Sequence, residues 1–218
     1  MSNKSYQQYC GIATALDRVG DRWTLLILRE LWLEECRFTD LRRALPGIAP
    51  NLLAERLRQL EHDGLVEQRD LPAPAARTVY ALTADGLRVV PVLRALARFG
   101  LPFLDDPVEG RVQPRMAVHG TLGALFDPVA ADGRDLLVRF DLDGEELWLQ
   151  VRAGQLVPAE TGGTPDVTVV GSPAGLVEVC RGSLELATAA PRLRVEGAAR
   201  ARKSLGEMFP APTPWTGP

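Results

Sequence analysis

Cysteine and histidine are too scarce to organise this chain. The three cysteines, Cys10, Cys36 and Cys180, lie far apart. An odd, scattered set is not a disulfide framework and has no metal-ligand spacing. The two histidines, His62 and His119, cannot supply a histidine-rich zinc site, so no metal and no other cofactor is expected. No run of 18 apolar residues exists, which argues against a membrane span. The opening MSNKSYQQYC lacks the apolar segment of a signal peptide, and cytoplasmic residence is the expectation. A Gly-rich phosphate loop and a His-x-Glu motif are also missing, and no nucleophile or carboxylate stands in register with His119. The chain is therefore not expected to be an enzyme.

What is present suffices for two domains. The chain has 218 residues, 46% of them apolar, enough to build a core in each of two halves of about 100. Net charge is −3, unhelpful for a nucleic-acid partner, but the halves differ. Residues 1–100 hold 14 Lys/Arg against 12 Asp/Glu, and residues 101–218 hold 11 against 16. That modest asymmetry fits a DNA-binding first half joined to an acidic second half.

Along the first half, Ile12, Leu16 and Val19 recur at helical spacing and Gly20 ends the segment. Asp21 is placed to cap a second helix, with Trp23, Leu26, Ile27, Leu31 and Trp32 pointing inward. Thr39 reads as the cap of a third helix that stops before Pro46-Gly47. Pro50 suits the first turn of a fourth, ending near Gly64, with Leu53, Leu57 and Leu60 on one face. Strands Leu65–Asp70 and Thr78–Leu82 follow, joined by a Pro/Ala-rich connection too long for a tight turn. Thr83 then caps a helix to about Phe99, with Pro91 inside it as a kink. Helix, turn, amphipathic helix and two-stranded ribbon in this order predict a winged helix-turn-helix, whose second helix enters the major groove of DNA.

The chemistry of that reading rests on named side chains. Asn51, small Ala54, Glu55 and Arg58 lie off the leucine face of the fourth helix, and Arg56 flanks it, within reach of bases or phosphates. Asn and Arg read adenine and guanine in bidentate fashion. Arg37, Thr39, Arg42 and Arg43 precede this helix and can hold phosphates, while Arg77 sits at the wing.

Gly100–Pro114, with three prolines, two glycines and three acids, reads as a linker. Beyond it the pattern changes: a short helix from about Arg115 to Phe126, strands Leu136–Leu142 and Glu145–Val151 around the hairpin signal Asp143-Gly144, strand Asp166–Val170, helix Pro173–Arg181, strand Leu193–Glu196 and helix Ala198–Phe209. The tail PAPTPWTGP reads as loose.

The segments YCGIATALDRVGDRWTLLILREL, RFTDLRRALPGIAPNLLAERLRQLEHDGLV and TVYALTADGLRVVPVLRALARFG resemble the HxlR family of bacterial regulators, relatives of the MarR group, over residues 9–100. The cysteine before the first helix, Gly-Asp-Arg-Trp, Arg-Phe-Thr-Asp-Leu, Arg-Leu-Arg-Gln-Leu-Glu and Tyr-x-Leu-Thr fall in register. The resemblance implies a homodimer built from the first helix and the helix after the wing. It also implies a near-palindromic operator in double-stranded DNA, usually close to the regulator's own promoter. Two positions depart from the family: Ala49 stands where Ser or Thr is usual, removing a side-chain cap from the recognition helix, and Gly11 stands where Pro is common. Some members resemble redox or electrophile sensors through a cysteine at the place of Cys10, where a helix N-terminus would favour the thiolate. The alternative for Cys10 is a small residue packed at the dimer contact.

DLLVRFDLDGEELWLQVRAGQL, PDVTVVGSPAGLVEVCRGSLEL and RLRVEGAARARKSLGEMF resemble the sterol-carrier-protein fold over residues 115–209, a mixed α/β module with a five-stranded sheet and an apolar tunnel. The candidate lining is Phe126, Phe140, Trp148, Leu176, Val179, Leu184, Leu186, Leu205, Met208 and Phe209. Apolar residues at these periods are also what a plain core requires. The expected fold class is thus α+β, with a winged helix-turn-helix domain over 1–100, a linker over 101–114, a sterol-carrier-like domain over 115–209 and a tail over 210–218. The expected function is a dimeric DNA-binding transcriptional regulator whose second domain takes a small apolar effector or adds dimer contacts. The rival is a lipid or small-molecule carrier whose winged helix serves protein contacts.

Overall fold

The computed structural model describes residues 5–72, 77–108, 110–159, 162–182 and 192–210. The chain divides into two compact units, residues 1–93 and 94–218.

The first unit begins with α1 (Gly11–Val19) and α2 (Thr24–Leu33). α2 carries Ile27, Leu28, Leu31 and Leu33 into the core, whereas Leu26, expected inside, is 40% exposed. Its start also differs from expectation. Asp21 offers its backbone carbonyl, not a side-chain cap, to Thr24 N–H at 3.1 Å. The residue before the helix is Trp23, held at φ +79, a conformation costly for a bulky side chain. Trp23 packs against the first unit's core, with the Arg22 guanidinium 5.5 Å above its ring.

α3 (Phe38–Ala44) and α4 (Pro50–His62) follow. Thr39 does not cap α3. The helix starts at Phe38 with Arg37 as the residue before it, and the Asp40 carboxylate reaches back to accept from Arg37 N–H at 3.2 Å. α4 starts at Pro50, with Ala49 before it and no side-chain cap. Leu53, Leu57 and Leu60 are all buried, joining Leu41, Leu45 and Ile48 in one cluster.

β1 (Val66–Leu71) and β2 (Arg77–Leu82) pair antiparallel, from Val66↔Leu82 to Leu71↔Arg77. Thr83 caps as expected, its hydroxyl accepting from Gly86 N–H at 3.0 Å and donating to Gly64 C=O at 2.6 Å. Gly86 is obligatory here, because a Cβ would lie 2.0 Å from the Leu65 carbonyl oxygen. The helix that follows is interrupted, not kinked. α5 (Ala84–Leu87) ends before Arg88, and α6 (Val90–Gly100) starts afresh with Pro91 in its first turn, where a missing N–H costs nothing.

The second unit holds a five-stranded sheet in the order β5-β4-β3-β6-β7. The strands are β3 (Leu136–Leu142), β4 (Glu145–Arg152), β5 (Gln155–Pro158), β6 (Val167–Gly171) and β7 (Leu193–Gly197). β3 and β6 run parallel; the other pairs are antiparallel. The residue pattern places four of these strands and does not place β5. Its turn uses Ala153 at φ +50 and Gly154 at φ +72, the same left-handed pair that Asp143 and Gly144 supply between β3 and β4. The expected helix over 115–126 opens as a π-helix, Met116–Leu122, before a turn of α7 (Gly123–Leu125). α8 (Pro173–Cys180), capped by the Ser172 hydroxyl, and α9 (Ala199–Met208) complete the unit. Residues at the start of the expected linker are packed here. Leu101 is buried in this unit's core, and Arg181 donates to the Asp105 carbonyl at 3.3 Å and the Asp106 carboxylate at 3.1 Å.

Candidate nucleic-acid interface

α4 presents two chemically distinct sides. Leu53, Leu57 and Leu60 anchor it in the core, each at most 1% exposed. Asn51, Glu55 and Arg58 are exposed and Ala54 is half-buried, because residues at steps of three and four share a face. Arg58 folds back along its own helix, its Nε donating to the Ala54 carbonyl at 3.3 Å. Arg56 does not join that outward side. Its side chain is 15% exposed, and Nη1 lies 3.2 Å from the Asp21 carboxylate. The position beside the leucine stripe points it back at the domain, where it braces the start of the α2 region.

α3 and the wing flank this helix. Arg37, Thr39, Arg42 and Arg43 are all exposed. The segment between α2 and α3 is tied to the ribbon by a pair of backbone bonds, Cys36 N–H to Tyr80 C=O at 3.1 Å and Tyr80 N–H to Cys36 C=O at 2.7 Å. That bridge brings Arg37 and Arg77 to one polar cleft of about 330 Å³, lined also by Glu34, Glu35, Asp40 and Val79. Arg77 is exposed at the first residue of β2; the wing residues 73–76 lie outside the described ones. Sequence reading missed Arg69 of β1, which meets Glu35 at 2.7 Å and Glu67 at 2.5 Å. Those carboxylates hold its guanidinium's pKa above the ordinary arginine value, mainly through hydrogen bonds. The Glu67 partner, two residues away on the same strand face, was a visible signal; Glu35, 34 residues distant, was not.

Cys10 immediately precedes α1 and is exposed. The backbone N–H groups of Ala13 and then Ile12 lower its thiol pKa. Cys36 and Cys180 are buried, and burial pushes the Cys180 thiol up to about 12.

In the second unit, Phe126, Phe140, Leu176, Leu205 and Met208 are buried together in one cluster, with Val179 and Phe209 packed at its edge. The rings of Phe126 and Phe209 lie 5.5 Å apart. Trp148 is not part of this lining. Phe140 pairs with Leu147, and Arg139 pairs with Trp148, so the pleat sends Trp148 to the opposite face of the sheet from Phe140. There its indole N–H donates to Glu146 at 2.6 Å. Leu184 and Leu186 lie outside the described residues.

Comparison with known proteins agrees with the first unit's geometry. The HxlR-like helix-turn-helix model matches residues 18–107. An HTH-type transcriptional regulator of Synechocystis sp. is 38% identical over 97 residues, 44% of this chain and 72% of that protein. One from Mycobacterium tuberculosis is 36% identical over 117 residues, 54% of this chain and 72% of that protein. A solved MarR-family regulator from Porphyromonas gingivalis is 31% identical, covering 44% of this chain and 95% of its own, with a TM-score of 0.41. The relatives are regulators rather than enzymes, and among the described residues no helix is long and apolar enough to cross a membrane. A helix with its leucines inward and Asn51, Glu55 and Arg58 outward, together with the helix-turn-helix family match and the Synechocystis relative, leads to one assignment: the chain belongs to the HxlR-like helix-turn-helix family of transcriptional regulators.

Proposed function

We propose that the protein binds a near-palindromic operator as a homodimer, with α4 in the major groove. In this reading Asn51, Ala54, Glu55 and Arg58 face the bases. Arg37, Thr39, Arg42 and Arg43 hold phosphates, Arg77 touches the groove edge or backbone from the wing, and Arg56 acts as a brace through Asp21. The observation that carries it is the outward placement of Asn51, Glu55 and Arg58 opposite the buried leucines, with exposed arginines on the flanking elements. The dimer is supported by apolar side chains that a single chain leaves open: Tyr9, Ile12 and Leu16 around α1, and Val92, Leu96 and Phe99 on α6.

Binding to the DNA upstream of the protein's own gene, measured across salt concentrations, tests this reading. The log–log slope is expected to be about −0.9 per phosphate contact, and each phosphate-holding arginine replaced by alanine should flatten it by about that amount. Absence of salt-dependent binding would favour a carrier whose winged helix contacts proteins.

The second unit is assigned a small apolar effector. Support comes from the wholly apolar inner side of β3, made by Leu136, Val138, Phe140 and Leu142. Native mass spectrometry after incubation with a lipid extract should show a retained adduct. Cys10 is assigned a redox role on its exposure and lowered pKa. Cys10→Ser should abolish release of the operator by diamide; unchanged release leaves Cys10 a packing residue.

A further inference from the structure

The outward N-terminal half of α4 carries a charge that works against DNA. Glu55 lies one turn beyond Asn51 on the same side, its side chain 62% exposed. Its cation partner is shared: Arg56 Nη1 lies 3.6 Å from Glu55 but closer, at 3.2 Å, to Asp21, so one guanidinium offsets two carboxylates and leaves Glu55 only partly compensated. Arg58 is bonded to the Ala54 carbonyl, and Gln59 Nε2 is bonded to Asp63 at 3.1 Å. A carboxylate brought among phosphates loses Coulomb energy everywhere except opposite a hydrogen-bond donor. The major-groove edges of guanine and thymine offer it acceptors. Adenine offers one amino donor beside the N7 acceptor, which repels the second carboxylate oxygen. Cytosine offers its N4 amino group alone.

We propose that Glu55 is a specificity-determining residue of the operator interface, admitting cytosine at its base position and penalising guanine and thymine. This rests on the DNA-binding reading and deepens it. Glu55 lowers affinity for DNA in general and recovers it at the correct base, whereas the arginines of α3 and the wing strengthen binding to every sequence.

Selection of bound duplexes from a random pool with the full-length protein, Glu55→Ala and Glu55→Gln, followed by titration of selected and scrambled duplexes, tests the proposal. Wild type should select a cytosine at one position in each half-site. Glu55→Ala should lose that preference, bind scrambled DNA more tightly, and discriminate about tenfold less. Glu55→Gln, isosteric and able to pair with adenine N6 and N7, should shift the preferred base to adenine. Selection by wild type with the same consensus and the same discrimination in both variants would overturn the role of Glu55 alone. Failure of wild type to bind any duplex would overturn the DNA-binding reading, and this role with it.

Discussion

The two units differ in whether their candidate chemistry is exposed or buried. In the first, the side chains assigned to DNA are exposed, while the leucines of α4 hold the helix. In the second, the side chains assigned to a ligand are themselves the core, with Phe140 at 1% exposure and Met208 at 0%. Binding and folding are therefore separable by mutation in the first unit and entangled in the second, since removing a core side chain costs transfer energy and leaves a cavity.

The largest test of that contrast is Phe140→Ala. It should cost about 3–5 kcal/mol in denaturant unfolding, against about 0.5 kcal/mol or less for Asn51→Ala. A Phe140→Ala loss below about 1 kcal/mol would mean the ring faces open space and the contrast fails.

An intermediate effect is expected from pH. Burial, then the positive charge of Arg115, lowers the His119 pKa to about 4 from 6.5. Between those values the unfolded chain binds the extra proton and the folded chain does not. Stability contributed by neutral His119 is thus full above about pH 6.5 and falls as pH drops toward 4, by on the order of 3 kcal/mol at most. Unfolding of wild type and His119→Gln followed from pH 7 to 4.5 should show a steeper decline for wild type. Parallel curves would place His119 in water.

The smallest effect tests the boundary of the reading helix. Ala49→Ser should supply the missing cap of α4 and stabilise by about 1 kcal/mol. That corresponds to a rise of about 4–8 °C in the melting temperature of a domain this size, read by calorimetry. No rise would mean that the backbone at residue 49 does not present a hydroxyl to the free N–H groups.

Local rules read well wherever a residue's neighbours in sequence are also its neighbours in space. Pro50 in the first turn, the leucine stripe of α4, Thr83 as a cap and the strand limits Leu136 and Leu142 are all of this kind. The two hairpins of the second unit show where such rules stop. Asp143-Gly144 announces its turn, because both residues tolerate positive φ. Ala153-Gly154 makes the same turn with a residue that disfavours it, so β5 was invisible. Trp148 was misplaced for another reason: it was grouped with Phe140 by hydrophobicity. The two-residue turn at 143–144 already implied the Phe140↔Leu147 pairing that separates them.

Sequence by itself determined which residues of α4 form its exposed polar side and which are leucine anchors, because a 3.6-residue period sorts side chains without reference to the rest of the fold. Tertiary structure alone decided that Arg56 serves Asp21, that Arg69 is held by Glu35, and that Arg37 and Arg77 share one cleft. Those partners lie tens of residues apart, and a guanidinium on a long flexible stem goes to whichever carboxylate the folded chain brings within reach.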